Sequence, residues 1–369
     1  MRIIWFTWRD LKHPLAGGAE LVTFEMTKRL ARKGHNVTIV TSEYDGCKKR
    51  ESVEGVDIVR MGNRFNVYWK AYKYYRKNLL DQKIDIIIDE MNTLPFFTSF
   101  YVGRQVKSFL FVHQLCREIW FHQIFFPLNI IGYLIEPVYL WLLRNSNVIT
   151  ISRSTKNDLI KYGFKKEKVA IISEGVHIQS ADDLENVQKY QDFTILSLGA
   201  VRKMKRTAHQ LRAFEIARQK IPNLKFKISG LINDSYGRRF VKLVDKSPYK
   251  KDIEFIGRVN DEEKKVLMQK CHLIVVTSIK EGWGLIVSEA GSQGTPAVVY
   301  DVDGLRDAVE YGKAGYITEQ NTPKVLANKI VSVLSNKENY DKIRYVAYQK
   351  AKKITFDRGF DDFCDILNL

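Results

Sequence analysis

Short apolar runs alternate with segments of helical spacing along the first half of the chain. The apolar runs that we interpret as buried strands are 3–6, 37–41, 56–59, 84–88, 108–112 and 148–151. The segments in which apolar residues recur at helical spacing are 19–32, 66–80 and 154–162. Apolar strands that alternate with amphipathic helices predict a parallel sheet covered by helices on both faces.

The same pattern restarts in the second half. Its strand-like runs are 193–198, 225–229, 253–256, 273–277, 296–300 and 315–318. The helices predicted between them are 207–219, 234–245, 261–270, 285–292 and 323–334. The predicted fold class is therefore α/β, with two doubly wound, Rossmann-like domains and a cleft between them. In such sheets, ligands bind outside the carboxyl ends of the strands.

A polar segment separates the two halves. Residues 179–191 (QSADDLENVQKYQ) lack apolar periodicity, and we interpret them as a linker or a surface excursion beside it. A chain of 369 residues exceeds what one compact core usually holds. We predict an N-terminal domain over 1–178 and a C-terminal domain over 192–350. Residues 351–369 are predicted to form a helix that packs back towards the N-terminal domain.

The most informative motif follows the strand-like run 273–277. It reads SIKEGWGLIVSEA and contains Glu281 and Glu289 with seven residues between them. Gly282 and Gly284 let the backbone approach a ligand closely, and the helix start that follows attracts negative charge. Two carboxylates in this place can accept hydrogen bonds from two sets of hydroxyls on one ligand. A tight turn followed by a solvated glutamate is the alternative interpretation.

The E-G-[FW]-G start with its second glutamate resembles the donor site of retaining glycosyltransferase family 4, which has the GT-B fold. The resemblance covers nearly the whole chain. It implies that Glu281 contacts the transferred sugar and that Glu289 contacts the ribose of the nucleotide. The backbone implied to face the sugar and the phosphates belongs to Gly282, Trp283, Gly284 and Leu285.

A basic loop, GAVRKMKR, follows the first strand of the second half. Members of the family usually carry an arginine and a lysine here, around the donor diphosphate. Lys205 stands at the lysine position, whereas Ala200 replaces the usual arginine and Arg202 is the nearest substitute. Two cations in this loop would stabilise the charge on a departing diphosphate. A solvated basic loop is the alternative.

Three further segments resemble the family. Gly17 and Gly18 precede the first helix, as in the glycine-rich loop that borders the donor phosphates, although such a pair is often only a turn. His113 follows an apolar run where the family has a histidine near the reacting centre, and a structural, hydrogen-bonded histidine is the alternative. Arg258 and Val259 lie in a segment similar to the base-binding loop.

Asp301 and Asp303 form an Asp-x-Asp pattern of the kind that the other main glycosyltransferase architecture uses to hold a divalent cation. Here the pattern lies beyond the two glutamates, where family 4 has a loop. Two carboxylates without further ligands also make a poor metal cage. We therefore predict no metal and no cofactor, because the nucleotide-sugar is a substrate.

The chain is strongly basic, with a net charge of +17, which favours anionic partners. The segment 66–80 concentrates this charge in Lys70, Lys73, Arg76 and Lys77, among tyrosines and a tryptophan and without an acid. Basic, aromatic helices bind anionic lipid surfaces. A helix that covers the sheet and turns its basic face to solvent is the alternative.

The apolar, aromatic segment 119–143 is the nearest approach to a membrane span. Pro127, Glu136 and Pro137 argue against spanning, and we interpret the segment as part of an acceptor groove or as core. No secretory signal is apparent, and the four cysteines lie far apart. We therefore expect a cytoplasmic protein that is peripheral at the membrane.

The resemblance implies transfer of a sugar, with retention of configuration, from a UDP- or GDP-linked donor to a lipid-linked acceptor or a growing glycan. A GT-B sugar-nucleotide epimerase and a soluble synthase fit the same motifs. From a different class, a basic, non-catalytic module that binds nucleic acid or membrane fits the charge. No nucleic-acid-binding motif is found in the sequence, so no nucleic-acid partner is expected.

Overall fold

The computed structural model describes residues 1–232 and 234–369, apart from the side chain of Gln123. The chain forms two compact units. Unit 1 comprises Met1–Trp120, Ile124–Gly175 and Phe356–Leu369, and unit 2 comprises Phe121–Gln123 and Val176–Thr355. Each unit contains its own sheet, so each is described separately.

Unit 1 is built on an eight-stranded sheet of order β3-β4-β2-β1-β5-β6-β7-β8. Its strands are β1 (Arg2–Phe6), β2 (Asn36–Thr41), β3 (Arg50–Val53), β4 (Val56–Arg60), β5 (Ile86–Met91), β6 (Lys107–Val112), β7 (Asn147–Thr150) and β8 (Val169–Ile171). All neighbours pair in parallel except β3, which pairs antiparallel with β4 at the edge. Because the central strands are buried on both faces of the sheet, most of their residues are apolar.

The helices of unit 1 are α1 (Gly18–Arg32), α2 (Val67–Tyr74), α4 (Leu128–Leu143) and α5 (Arg153–Lys161), whereas only the first residue of the single turn α3 (Trp120–Gln123) belongs to unit 1. The predicted helix 66–80 is present, but its second part, Tyr75–Leu79, is a π-helical turn. The segment 119–143 contains the long helix α4, with Pro137 inside it. Only one face of α4 packs into the core. The interpretation of this segment as core therefore holds for that face and not for the exposed one.

Unit 2 contains a six-stranded parallel sheet of order β11-β10-β9-β12-β13-β14. Its strands are β9 (Thr194–Leu198), β10 (Lys225–Ser229), β11 (Ile253–Gly257), β12 (Leu273–Val276), β13 (Ala297–Val299) and β14 (Tyr316–Ile317). They correspond to the six strands predicted from the second half of the sequence. Apolar side chains on the two faces of this sheet form two separate core clusters.

The helices of unit 2 are α6 (Thr207–Arg218), α7 (Ser235–Asp245), α8 (Asp261–Lys270), α9 (Leu285–Ser292), α10 (Asp303–Ala308), α11 (Pro323–Leu334) and α12 (Lys337–Ala351). Helix α8 begins at a capping box in which Asn260 and Glu263 bond to each other's backbone amides. The chain ends in α13 (Phe356–Leu367), which belongs to unit 1. Within unit 1, the Ser173 amide donates to Asp362 Oδ2 of α13 over 3.0 Å.

The polar segment 179–191 belongs to unit 2 and packs against the rest of it. The amide of Ala181 donates to the carbonyl of Ser292, and the amide of Tyr190 donates to the carbonyl of Lys270, each over 2.9 Å. The buried ammonium of Lys189 donates to the Cys271 carbonyl over 2.8 Å, the Gly294 carbonyl over 2.9 Å and the Thr295 hydroxyl over 2.6 Å. Burial lowers the pKa of Lys189 well below its usual range. These bonds explain how a segment without apolar periodicity is fixed on the domain.

His272, just before β12, gives unit 2 a defined sensitivity to acid. Its Nδ1 accepts a hydrogen bond from the Thr194 amide over 3.1 Å, so this nitrogen carries no proton. Burial, reinforced by Lys189 and Arg344, lowers the pKa of His272 from 6.5 to about 4. The unfolded chain therefore binds more protons than the folded chain between these two values. The contribution of His272 to stability is complete above pH 6.5 and is lost as the pH falls through about 4.

We expect His272→Asn to remove this contribution to the pH dependence, because the asparagine oxygen can accept the same bond from Thr194 but does not titrate. The free energy of unfolding in urea, measured at several pH values, checks this. Between neutral pH and pH 4, the variant should lose roughly 2–3 kcal/mol less stability than the wild type. An identical loss in both proteins would show that His272 is not responsible.

Candidate active site

Glycines form the carboxyl edge of the sheet in unit 2. Gly199 follows β9 with φ +121°, and Gly230 follows β10 with φ +155°. A Cβ on Gly230 would lie 1.9 Å from the Gly199 carbonyl oxygen, so the two turns approach as only glycine permits. The Gly230 amide then donates to the Gly257 carbonyl over 2.8 Å. The sequence motif included Gly199, but the need for Gly230 depends on a contact that sequence spacing does not reveal.

Lys205 and Glu281 contact each other at this edge. Lys205 ends a short turn before α6, and its ammonium pairs with Glu281 Oε1, which also accepts a bond from the Ser278 hydroxyl over 2.6 Å. The Thr277 hydroxyl donates to the Lys205 carbonyl over 2.7 Å. These bonds join the loop after β9 to the loop after β12. The structure thus brings together two residues that are 76 positions apart in the sequence.

The loop from Gly282 to Leu285 leads directly into α9. Gly284 caps this helix with φ +97°, a conformation that a side chain would strain. Gly304 of α10 packs against this loop, and its amide donates to the Glu281 carbonyl over 3.2 Å. A Cβ on Gly304 would lie 2.3 Å from that carbonyl oxygen. The glycine of the DVDG segment is therefore required for packing under the loop.

Glu289 is the fifth residue of α9, just over one turn from its start, and is almost completely buried, at 4% exposure. Its Oε1 lies 2.8 Å from the ammonium of Lys264 on α8. Sequence reasoning placed Glu289 in the site but missed Lys264. The available signal was weak, because Lys264 is one of several charged residues in the first turns of α8 and its direction depends on how α8 packs against α9.

The remaining residues predicted for the donor site differ in their surroundings. Trp283 donates from Nε1 to the Ser288 hydroxyl over 3.0 Å, and the ammonium of Lys350 lies 5.4 Å from its ring centroid. Val259 packs against the core cluster below α9. The side chains of Arg202 and Arg258 are exposed. The structure therefore brings Lys205, but not Arg202, into contact with Glu281.

Unit 1 places the glycine pair at the start of α1. The amide of Gly17 donates to Glu20 Oε2 over 2.7 Å, and Glu20 Oε1 lies 3.3 Å from Arg9 Nε. The backbone of Gly17 is extended, with φ −142°. Any residue adopts this conformation, so the helix start does not need glycine for its backbone geometry. The exposure of Gly17 and Gly18 leaves space for a close approach to the helix start.

His113 lies just after β6 and is buried against Glu90 at the carboxyl end of β5. His113 Nε2 is 3.3 Å from Glu90 Oε1, close enough for an ion pair but outside hydrogen-bonding geometry. Glu90 is fully buried and accepts bonds from Trp5 Nε1 over 2.6 Å, the Thr23 hydroxyl over 2.7 Å and Asn92 Nδ2 over 3.0 Å. A carboxylate held by three neutral donors retains capacity to orient the histidine. Sequence reasoning missed Glu90, although an acid at the end of an apolar strand was the available signal.

Asp301 and Asp303 both pair with Arg306, at 3.1 Å and 2.7 Å respectively. Arg306 lies one turn from Asp303 on α10, so a cation of the chain itself neutralises this pair of carboxylates. Among residues 1–232 and 234–369, no cluster of three or more histidine, cysteine or acidic side chains could hold a metal ion. Over the same residues, no helix is both long enough and apolar enough to cross a bilayer.

Two family models match the chain. The family described as "Glycosyl transferases group 1" matches residues 180–350, and "Glycosyltransferase Family 4" matches residues 16–180. An uncharacterised glycosyltransferase of Methanocaldococcus jannaschii is 22% identical over 360 residues, which cover 91% of this chain and 90% of that protein.

Solved structures show the same fold. Sucrose-phosphate synthase from Thermosynechococcus elongatus superposes with a TM-score of 0.79 at 16% identity, covering 100% of this chain and 98% of that one. HepE from Anabaena, in complex with UDP-glucose, superposes with a TM-score of 0.72 at 16% identity, covering 100% and 99%. The chain belongs to the group 1 glycosyltransferases and has the GT-B fold, with two Rossmann-like domains.

Proposed function

We propose that the chain transfers a sugar from a nucleoside-diphosphate sugar to a hydroxyl or phosphate of an acceptor, with retention of anomeric configuration. The observation that carries this proposal is the arrangement in which Lys205 pairs with Glu281 at the carboxyl edge of the sheet in unit 2, beside the start of α9, the helix that carries Glu289. It combines one cation with two carboxylates beside glycine turns, as a ligand with phosphates and hydroxyls requires.

The donor is proposed to bind with its diphosphate near Lys205 and the start of α9. Amides at a helix start attract phosphate, and Gly284 keeps this start free of a side chain. Glu281 is suited to accept hydrogen bonds from sugar hydroxyls, and Glu289 from ribose hydroxyls. The complex of HepE with UDP-glucose supports a donor of this class. UDP- and GDP-linked sugars are the first candidates.

The contact between Lys205 and Glu281 also supports a role for Lys205 in positioning Glu281 relative to the donor phosphates. An ammonium donates up to three hydrogen bonds, so Lys205 can hold Glu281 and a phosphate oxygen together. Glu281 would then be held in position beside the sugar. In the same way, Lys264 fixes Glu289. Lys264 is therefore added to the residues proposed to shape the ribose subsite.

The proposed reaction is a front-face displacement. The bond between the anomeric carbon and the diphosphate oxygen breaks, the acceptor oxygen bonds to the same face, and the acceptor proton passes to the departing diphosphate. Lys205 stabilises the negative charge that develops on the leaving group. Arg202, which is exposed, is proposed to assist when the diphosphate is present. The family resemblance assigns His113 to orientation of the sugar, and Glu90 would hold its ring.

The acceptor is proposed to be lipid-linked or a growing glycan at an anionic membrane surface. This part of the proposal is supported by the four cations of α2 and its π turn, Lys70, Lys73, Arg76 and Lys77, all of which are exposed. Cations beside an anionic bilayer each contribute about 1 kcal/mol of binding free energy.

A panel of UDP-, GDP- and ADP-sugars tests the reaction. The full chain is incubated with each donor, with and without polyprenyl-phosphate-linked acceptors, and nucleotide release and the anomeric configuration of the product are measured. We expect acceptor-dependent release from one donor class and a product that retains the donor configuration. An inverted product would exclude the retaining mechanism, and conversion of the donor sugar without transfer would identify an epimerase. Neither binding nor turnover across the panel would contradict the enzyme proposal.

A further inference from the structure

Helix α4 of unit 1 is apolar on both of its faces. Its sequence, LNIIGYLIEPVYLWLL, contains one charged residue, Glu136. That carboxylate is fully buried and accepts bonds from the amides of Cys116 and Arg117, each over 2.7 Å, and from Trp120 Nε1 over 2.9 Å. The solvent-facing side of α4 therefore has no charge, unlike an ordinary surface helix.

The exposed side of α4 is a continuous apolar stripe. Its members recur at helical spacing and are Leu128, Ile131, Leu134, Ile135, Val138, Trp141 and Leu142. Leu134 is 63% exposed, Trp141 56% and Val138 55%. The residues on the opposite side, which pack into the unit 1 core, are Gly132, Glu136, Tyr139, Leu140 and Leu143. Exposed apolar surfaces that are continuous in this way mark interaction sites.

Helix α2 and helix α4, which carries the apolar stripe, cover the same face of the sheet in unit 1. Phe97 packs edge-on against Tyr139 of α4, with centroids 6.3 Å apart, and also contacts Phe100, which is 59% exposed. One residue further along, Tyr101 packs against Tyr72 of α2 at 5.1 Å. The aromatic segment around Phe100 therefore joins the two helices.

Cations lie at the margins of this surface. The guanidinium of Arg144 is 4.0 Å from the ring centroid of Trp141 at the end of α4, and that of Arg117 is 4.0 Å from the ring of Tyr133. On α2, the ammonium of Lys73 lies 5.0 Å from the ring of the exposed Trp69. Aromatic rings beside arginine and lysine suit the boundary between lipid headgroups and acyl chains.

From this geometry, we infer that α4 is an interfacial helix that inserts the apolar stripe into the acyl-chain boundary of an anionic bilayer, while the cations of α2 contact the headgroups. The helix has 16 residues, or ~24 Å at 1.5 Å per residue. This is shorter than the ~30 Å hydrocarbon core of a bilayer. A helix of this length, with one face buried in the protein, lies in the plane of the membrane.

Charge complementarity favours a lipid surface over a second copy of the chain. Two copies joined through this face would bring the cations of α2 and the margins of α4 together, where like charges repel. An anionic bilayer offers phosphate groups to the cations and hydrocarbon to the apolar stripe. This inference rests on the membrane part of the proposed function and does not depend on the identity of the sugar donor.

Vesicle binding tests the inference with the full chain. Binding to sedimented vesicles of phosphatidylglycerol and phosphatidylcholine is measured for the wild type and for the triple variant Leu134→Ser, Val138→Ser and Trp141→Ser. The matched control replaces three exposed apolar residues of unit 2, Leu243→Ser, Val266→Ser and Tyr345→Ser. The α4 variant is expected to bind at least tenfold more weakly, whereas the control should bind like the wild type. Circular dichroism and thermal melting verify that both variants fold.

Salt separates the two contributions to binding. The Debye length falls from ~10 Å at 0.1 M to ~3 Å at 1 M salt, so contacts of the α2 cations weaken whereas apolar insertion persists. A variant with Lys70, Lys73, Arg76 and Lys77 replaced by Ser should bind more weakly than the wild type at 0.1 M salt and equally at 1 M salt. The α4 variant should lose the binding that the wild type retains at 1 M salt. If only the α4 variant is affected, the headgroup contacts assigned to the α2 cations are wrong, both here and in the proposed function, and only the insertion of α4 stands.

Three outcomes would overturn the inference: no binding of the wild type to any vesicle, equal binding by the α4 variant, or self-association of the wild type that the α4 variant abolishes. Light scattering after size exclusion detects the last of these. In each case, the proposed sugar transfer remains independently testable, because nucleotide release with a soluble acceptor does not require a vesicle.

Discussion

Replacement of Glu281 by glutamine is expected to lower kcat for sugar transfer by about a hundredfold to a thousandfold. The variant keeps the size of the side chain and a hydrogen-bond acceptor, but it loses the charge that pairs with Lys205. Without that charge, both the sugar hydroxyls and the ammonium of Lys205 lose their fixed position. The rate of acceptor-dependent nucleotide release, measured at saturating donor, gives the effect on kcat directly.

Glu262→Gln is the matched control for this change. Glu262 is an exposed residue in the first turn of α8, so its replacement removes the same charge from the same unit. Its activity should equal that of the wild type, and both variants should unfold at nearly the wild-type temperature. Full activity of Glu281→Gln would remove Glu281 from the proposed site. A large drop in its melting temperature would indicate a structural role instead.

Replacement of Lys205 by methionine is expected to lower kcat by roughly a hundredfold, because the charge on the departing diphosphate loses its nearest cation. Methionine keeps the unbranched side chain and its apolar contacts. The Thr277 hydroxyl bonds to the backbone of Lys205, so the junction of the two loops should survive the change. Single-turnover measurement of nucleotide release separates this effect on the chemical step from any effect on donor binding.

Lys203→Met serves as the control, since Lys203 is exposed and only two residues away. It should leave kcat within a factor of about two of the wild type, as surface substitutions usually do. Equal losses in both variants would show that the loop contributes only general positive charge. Arg202→Met then tests the role that the sequence resemblance gives to Arg202: a large loss would support it, although the exposed side chain does not contact Glu281.

The strands could be predicted from sequence because their burial on both sheet faces leaves a direct apolar signal. The edge strand β3 was missed because Arg50–Val53 is largely polar and pairs only with β4. Strand β8 was also missed, because its three residues are too few to form a recognisable apolar run. The exposed face of α4 could not be predicted from the sequence, because a helix whose residues are mostly apolar on all sides does not reveal which face is covered. Only the packing of Tyr139 and Leu143 into unit 1 identifies the buried side.

Within the site, sequence position predicted residues that lie in recognisable loops, such as Lys205 and Glu281. It could not predict partners supplied by distant elements, because their direction depends on packing. Lys264 reaches Glu289 from a neighbouring helix, and Glu90 reaches His113 from a neighbouring strand. Gly230 and Gly304 are required by backbone contacts with residues far away in the sequence. Such requirements become visible only when the strands and helices are placed together.

Hydrogen–deuterium exchange of the full chain, with and without the donor selected by the panel, tests the central claim most directly. If the nucleotide-sugar binds at the carboxyl edge of the sheet in unit 2, the amides of the 199–206 loop and of the start of α9 should become protected. Their protection should be lost in Glu281→Gln or Lys205→Met at the same donor concentration. Donor binding that protects other segments and leaves both of these loops unchanged would contradict the account.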